Sequence, residues 1–260
     1  MDKDITVILT VYNRPHVLEK QYIAIKNQSV PPKDIFIWIN KGDNGKIDLD
    51  KFKDAKIIDC NHNWKFHGRF ALALLARTTY VCIFDDDTIP GKEWFKNCLT
   101  EMKKIPAIYG TAGVELYDFK NKVINPHGPA ECMYNPHAKF GWNQGRTLPL
   151  HPRELPKEVD LVGHSWFFKQ EWAKYMWYEE PVSWENGEDI MFSYLCQKYG
   201  KIPTYVPPHP NNEPEKWGSL EGSTLGSDEN ASWKKANHMT LRDEVVIECC
   251  KRGWRPVCDR

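Results

Sequence analysis

Three consecutive aspartates, Asp85, Asp86 and Asp87, follow the apolar run Tyr80–Phe84 without a break. Carboxylates so crowded repel one another unless a cation holds them together. Hard divalent ions such as Mg²⁺ or Mn²⁺ take oxygen ligands and keep room for substrate phosphates, so the run has the chemistry of a metal–phosphate site. The plainer alternative is a solvated acidic turn capping the next helix. Further back, Asn63, His67 and Arg69 gather just before an apolar stretch. Arg69 could approach a diphosphate from a helix N-terminus there, or pair with a carboxylate at the surface. A second acidic pair, Glu188-Asp189, opens another apolar segment, where it would at least complement a helix dipole.

These groups need elements to hold them. Tyr80–Phe84 reads as a buried strand of parallel type, and the C-terminal edge of such strands is where open α/β sheets bind ligands. Ile5–Leu9 and Ile35–Ile39 are further apolar strands, and residues 57–58 a short third one. Pro15 starts a helix whose Leu18, Tyr22 and Ile25 recur at helical spacing, ended by Pro31-Pro32. Residues 70–76 form an apolar helix. The alternation predicts an α/β fold with a mostly parallel sheet flanked by helices. Beyond it the pattern predicts a helix over 94–103, a strand over 108–114, an irregular excursion over 125–156 and a strand over 159–162. Helices are expected over 169–177, 190–199 and 238–251, with an extended surface tail after Tyr205.

Composition narrows the class. The 260 residues suffice for one large core with an appendage. Lys+Arg and Asp+Glu balance at 35 each, so no global field favours nucleic acid or an acidic membrane surface. No apolar run approaches the roughly 20 residues of a membrane span. The start MDKDITVILTVYNR lacks the basic opening of a secretory signal, and the eight scattered cysteines include no C-x-x-C pair. Reduced thiols and a cytoplasmic location are the expectation. Eleven each of Trp, Tyr and Phe are an unusual load, suited to packing or to stacking on bases and sugar rings.

Thr10-Val11-Tyr12-Asn13-Arg14-Pro15 after the first strand resembles the opening of the GT-A glycosyltransferases, family 2 in particular. Phe84-Asp85-Asp86-Asp87 is similar to their DxD motif, and Gly187-Glu188-Asp189-Ile190 to their xED motif. The three occur in order over residues 5 to about 210, and the small glycosyltransferases of large DNA viruses are similar too. The resemblance implies a single GT-A (Rossmann-like) domain over 1–210, with a nucleotide-binding half (1–90) and an acceptor half (91–210), and an irregular C-terminal extension (211–260) packed on it.

The resemblance also implies a nucleoside-diphosphate sugar donor, UDP-sugar favoured, a Mn²⁺ or Mg²⁺ cofactor, and a glycan, lipid or protein acceptor. Asp87 and Asp85 would address the metal, with Asp85 and Asp86 also near the donor and His209, or second His238, as a further ligand. Thr10, Tyr12, Arg14 and Asn40 or Lys41 would line the base and ribose pocket, joined by Asn63, His67 and Arg69. Asp189, beside Glu188, would be the base of an inverting transfer; a retaining transferase is the alternative. Gly163 and His164 match a loop facing the donor sugar, and Trp166, Trp184 and Trp217 are acceptor platforms or plain core tryptophans. A nucleotidyltransferase would show a Gly-rich loop where TVYNRP stands. A binding or scaffold protein that kept the fold without turnover is the non-enzyme reading.

Overall fold

The structure, a computed structural model, describes residues 4–116, 154–257 and 260. Four parallel strands build its first half: β1 (Ile5–Val11), β2 (Asp34–Ile39), β3 (Lys56–Asp59) and β4 (Tyr80–Phe84). All seven residues of β1 are buried, as expected of a strand covered on both faces. Helix α1 (Pro15–Lys26) connects β1 to β2, and α2 (Gly68–Ala73) precedes β4. The chain runs outward from β1 through β2 to β3, then returns to place β4 on the other side of β1. That reversal opens a crevice beyond the C-terminal ends of β1 and β4, the usual place for ligands in such sheets.

After α3 (Trp94–Lys104) the segment expected as one strand over 108–114 is two. Strand β5 (Ile108–Tyr109) joins the large sheet and β6 (Ala112–Val114) a second, two-stranded one. The chain changes sheets at Gly110, where an added Cβ would lie 2.4 Å from Val162 and 2.5 Å from the Ser165 carbonyl. The strand expected over 159–162 is likewise split, into β7 (Lys157–Val159) and β8 (Leu161–Gly163), hinged at Asp160. The 125–156 excursion lies outside the described residues except for its last three.

Strand β9 (Ser165–Lys169) escapes the sequence pattern, because its short apolar run merges with the Gly163–Trp166 turn and the expected helix over 169–177. It runs antiparallel between β4 and β5 in the middle of the sheet, whose order is β3-β2-β1-β4-β9-β5-β10-β7, with β10 at Thr204–Val206. Residues 170–177 are a tighter 3₁₀ helix, and the helix expected over 190–199 is α4 (Glu188–Leu195), widening into π turns up to Gly200. Helix α5 (His238–Lys251) packs its buried Val245, Val246 and Cys249 into the same core, close to Gly187 and Met191.

Asp160 is the buried joint of this half: its carboxylate accepts from the Leu116 N–H at 2.6 Å and the Val257 N–H at 2.7 Å. Burial pushes its carboxyl up to about 7 against those two bonds. The native state therefore binds this proton more tightly than the unfolded chain, so the contribution is full below the ordinary value of 3.8 and lost as pH rises through about 7. In urea denaturation across that window, the wild type should gain stability over Asp160→Asn as pH falls. A difference independent of pH would show that the carboxyl is not buried in this way.

Candidate active site

The crevice at the ends of β1 and β4 is a pocket of about 840 Å³, a size that holds a small-molecule ligand. Its floor is the turn after β4. Gln21, buried on α1, fixes that turn by donating to the carbonyls of Asp85 (2.7 Å) and Thr88 (2.8 Å). The Asp85 N–H donates to the His164 carbonyl at 3.0 Å, joining the turn to the chain between β8 and β9. His164 has φ 65°, uncommon for a residue with a side chain, and its Nδ1 lies 3.6 Å from Asp87 Oδ1. Asp85, Asp87 and His164 each offer one ligand atom, all within 4.8 Å of one another. Two carboxylates and an imidazole fit a divalent ion such as Mn²⁺, which accepts oxygen and nitrogen donors.

Two buried guanidiniums compensate the acids. Arg14 donates through Nη1 to Asp86 (2.6 Å) and Asp87 (3.4 Å), and through Nε and Nη2 to Asp228 (2.9 and 2.6 Å). Burial, then the Asp87 charge, pushes Asp86 up to about 7 despite Arg14. Burial also opposes ionisation of Asp87, but the bonds and charges of His164 and Arg14 hold it below the ordinary range. Arg69, 3% exposed, bridges Asp85 through Nη1 and Glu188 through Nη2 (2.6 Å), with its guanidinium 4.4 Å from the Trp166 ring.

Glu188 and Asp189 begin α4 after Gly187, whose φ is 86° and whose added Cβ would meet Val245 at 2.9 Å. Asp189 accepts from Arg242 of α5 twice, Nη1 to Oδ1 and Nη2 to Oδ2, both at 2.8 Å. Burial opposes its charge, yet Arg242 holds it below the ordinary carboxylate range, while burial pushes Glu188 up to about 7.

Of the residues singled out in the sequence, Thr10, Tyr12, Arg14, Asn40, Asn63 and Arg69 lie in the pocket wall. So do Asp85, Asp86, Gly163, His164, Trp166, Glu188, Asp189 and His238. Asn40 Nδ2 donates to Asn63 Oδ1 at 2.8 Å, so these two amides form one unit beside Trp38 and Lys65. Six others stand elsewhere. Asp87, 8% exposed, is not itself part of the wall, although its Oδ1 lies 3.6 Å from His164 Nδ1, which is. Lys41 is exposed; His67 is buried behind the wall against the Trp184 ring, 5.0 Å away, and Trp184 itself is half exposed. His209 is buried with Nδ1 3.0 Å from the Pro207 carbonyl, and Trp217 is buried donating to the Pro210 carbonyl. Neither lines the pocket, and among the described residues the histidine beside Asp85 and Asp87 is His164. Trp166 is 1% exposed, under Arg69.

Asp228 and Arg242 were not foreseen. Asp228 sits in a polar stretch with no periodicity, 214 residues from Arg14.

The family model described as glycosyl transferase family 2 matches residues 6–177. The chain belongs to that family. The match takes in the Asp85–Asp87 turn, Arg14, Arg69 and His164 of this family 2 chain, while Glu188, Asp189, Asp228 and Arg242 lie beyond it. Two similar solved structures are a mannosyltransferase, PcManGT, from Pyrobaculum calidifontis in complex with GDP-Man and Mn²⁺, and residues 1–349 of TarS from S. aureus. Each has a TM-score of 0.51 and 14% identity, covering 79% and 81% of this chain respectively. The family 2 chain spans 55% and 61% of those two chains. At that identity the likeness shows the fold, which is GT-A. No curated protein matched the sequence. Among the described residues no helix is long and apolar enough to cross a membrane.

Proposed function

We propose that the protein transfers a sugar from a nucleoside-diphosphate donor, UDP-sugar favoured, to an acceptor hydroxyl with inversion. The observation that carries this reading is one pocket lined by Asp85 and His164, which form a ligand group with buried Asp87 beside them, and by an acidic pair, joined through Arg69. A divalent ion bound to those three residues would neutralise the charge that grows on the departing diphosphate. Thr10, Tyr12 and the Asn40–Asn63 amides form the wall that takes base and ribose. Arg14 keeps the aspartates together rather than reaching outward, since its guanidinium is turned to Asp86, Asp87 and Asp228.

Asp189 is the base. As the acceptor oxygen bonds to the anomeric carbon, its proton passes to Asp189. The bond from that carbon to the diphosphate breaks, and its electron pair leaves with the diphosphate. Trp233 in the wall and Trp184 beside His67 are 51% and 52% exposed, an unusual cost for tryptophan, and offer ring faces to an acceptor glycan, lipid headgroup or protein.

The test is a thermal-shift panel of UDP, GDP, CDP and ADP with and without Mn²⁺. A ligand specific to the native state adds about 2.7 kcal/mol at 100 times its Kd. One nucleotide should raise Tm, strongly only with metal, and Asp87→Ala should erase the metal-dependent part. No shift for any nucleotide under either condition would leave a family member that binds no donor.

A further inference from the structure

Helix α5 puts Arg242, 7% exposed, into the pocket wall. Its planar fork meets Asp189 end on, which fixes the plane of the carboxylate as a lysine could not. Asp189 Oδ1 also accepts the Ile190 N–H at 2.9 Å. A carboxylate oxygen has about two acceptor sites, so Oδ1 is filled. Among the described residues Oδ2 takes Arg242 Nη2 alone and keeps one site.

We propose that Arg242 is a positioning residue of the transfer reaction, holding Asp189 ionised and leaving Oδ2 as the one oxygen that can take the acceptor proton. This rests on the reading of Asp189 as base.

The surroundings single Arg242 out. The ionisable groups facing Asp189 are Glu188 on its own helix, His67 and Arg69 from the start of α2, and His238 and Arg242 from α5. Burial pushes both His67 and His238 down to about 4, so neither is a cation at neutral pH. Arg69 is committed to Asp85 and Glu188. Among the described residues Arg242 is the cation bonded to Asp189 and the largest influence holding its charge, with the Ile190 N–H and the more distant Arg69 adding less. Nor does α5 need the cation for its packing, which comes from Val245, Val246 and Cys249.

The direct measurement is ¹³C NMR of the aspartate carboxyl carbons, with the Asp189 signal identified by its loss in Asp189→Asn. In Arg242→Gln its titration midpoint should rise by about one to three pH units, the usual worth of an adjacent opposite charge. Arg242→Lys should restore part of that shift, which a merely structural role would not produce. An unmoved midpoint in a folded Arg242→Gln protein, or one as high in Arg242→Lys as in Arg242→Gln, overturns the proposal.

The kinetic arm follows nucleoside-diphosphate release from UDP-glucose, UDP-N-acetylglucosamine and GDP-mannose with Mn²⁺, water standing in for the acceptor. The water oxygen bonds to the anomeric carbon, its proton goes to Oδ2, and the diphosphate leaves with the electron pair. The acid limb of kcat/KM should move up with the NMR midpoint, and Arg242→Gln should add nothing once Asp189→Asn is present. If Asp189→Asn turns over like the wild type, the base reading fails and the positioning role falls with it. If Asp189→Asn is inactive while the limb and midpoint stay put in Arg242→Gln, the Arg242 proposal alone is overturned.

Discussion

Asp189→Asn is expected to bind the donor as the wild type does and to lose transfer by about 10²–10⁴-fold, the range for removal of a positioned base. The substitution keeps the shape. The amide oxygen can still accept the Ile190 N–H and Arg242 Nη1, while the amide nitrogen faces Nη2 with hydrogen against hydrogen. Buried Arg242 loses its counter-charge but keeps one hydrogen bond, which costs about 3 kcal/mol of stability, less than the total of a typical domain. Calorimetric titration with the nucleotide chosen by the thermal-shift panel, alongside kcat, separates binding from chemistry. Glu188→Gln is the companion variant, because burial brings Glu188 to about 7, close to where a general base works best. Full activity in Asp189→Asn with none in Glu188→Gln would move the base one residue along α4.

Arg69→Met should give the largest loss of stability in the pocket, about 3–5 kcal/mol, the range for breaking a buried pair from one side. The methionine fills much of the volume beneath Trp166 but leaves Asp85 and buried Glu188 without the cation between them. Arg69→Lys should recover only part of the loss. A single ammonium on a flexible stem cannot present two parallel donors to carboxylates on separate elements. Urea denaturation at neutral pH without divalent ions measures both variants. A loss below about 1 kcal/mol for the methionine variant would mean that the pairs are no more than surface ion pairs.

The sequence made the elements of the first half visible because their signals are local. β1, β2 and β4 are mostly apolar runs, buried nearly throughout, and Pro15 marks the start of α1. The acid turn was visible for the same reason, three identical charges following a buried strand. What stayed hidden depends on where distant pieces meet. Gly110 and Asp160 break two apparent strands because the chain changes sheets there, a fact carried by the tight approach to Val162 and by hydrogen bonds to Leu116 and Val257. β9 was lost because five residues fit a turn and a helix start equally well. His164 was read as facing the sugar, and only its left-handed backbone turns the ring to Asp87. The partners of Arg14 and Asp189 lie 214 and 53 residues away, where no local pattern reaches.

The three guanidiniums of the pocket are outnumbered by the carboxylates they hold: Asp86, Asp87 and Asp228 share Arg14, Asp85 and Glu188 share Arg69, and Asp189 has Arg242 to itself. Lys65 and Lys235 of the same wall restore the balance, and Asp86 and Glu188, both brought to about 7, carry only part of their charge, so the surplus of carboxylates is gathered at the Asp85–Asp87 turn rather than spread over the walls. A divalent ion would be drawn to that one corner of an otherwise balanced pocket, and a diphosphate entering after it would meet the corner already neutralised.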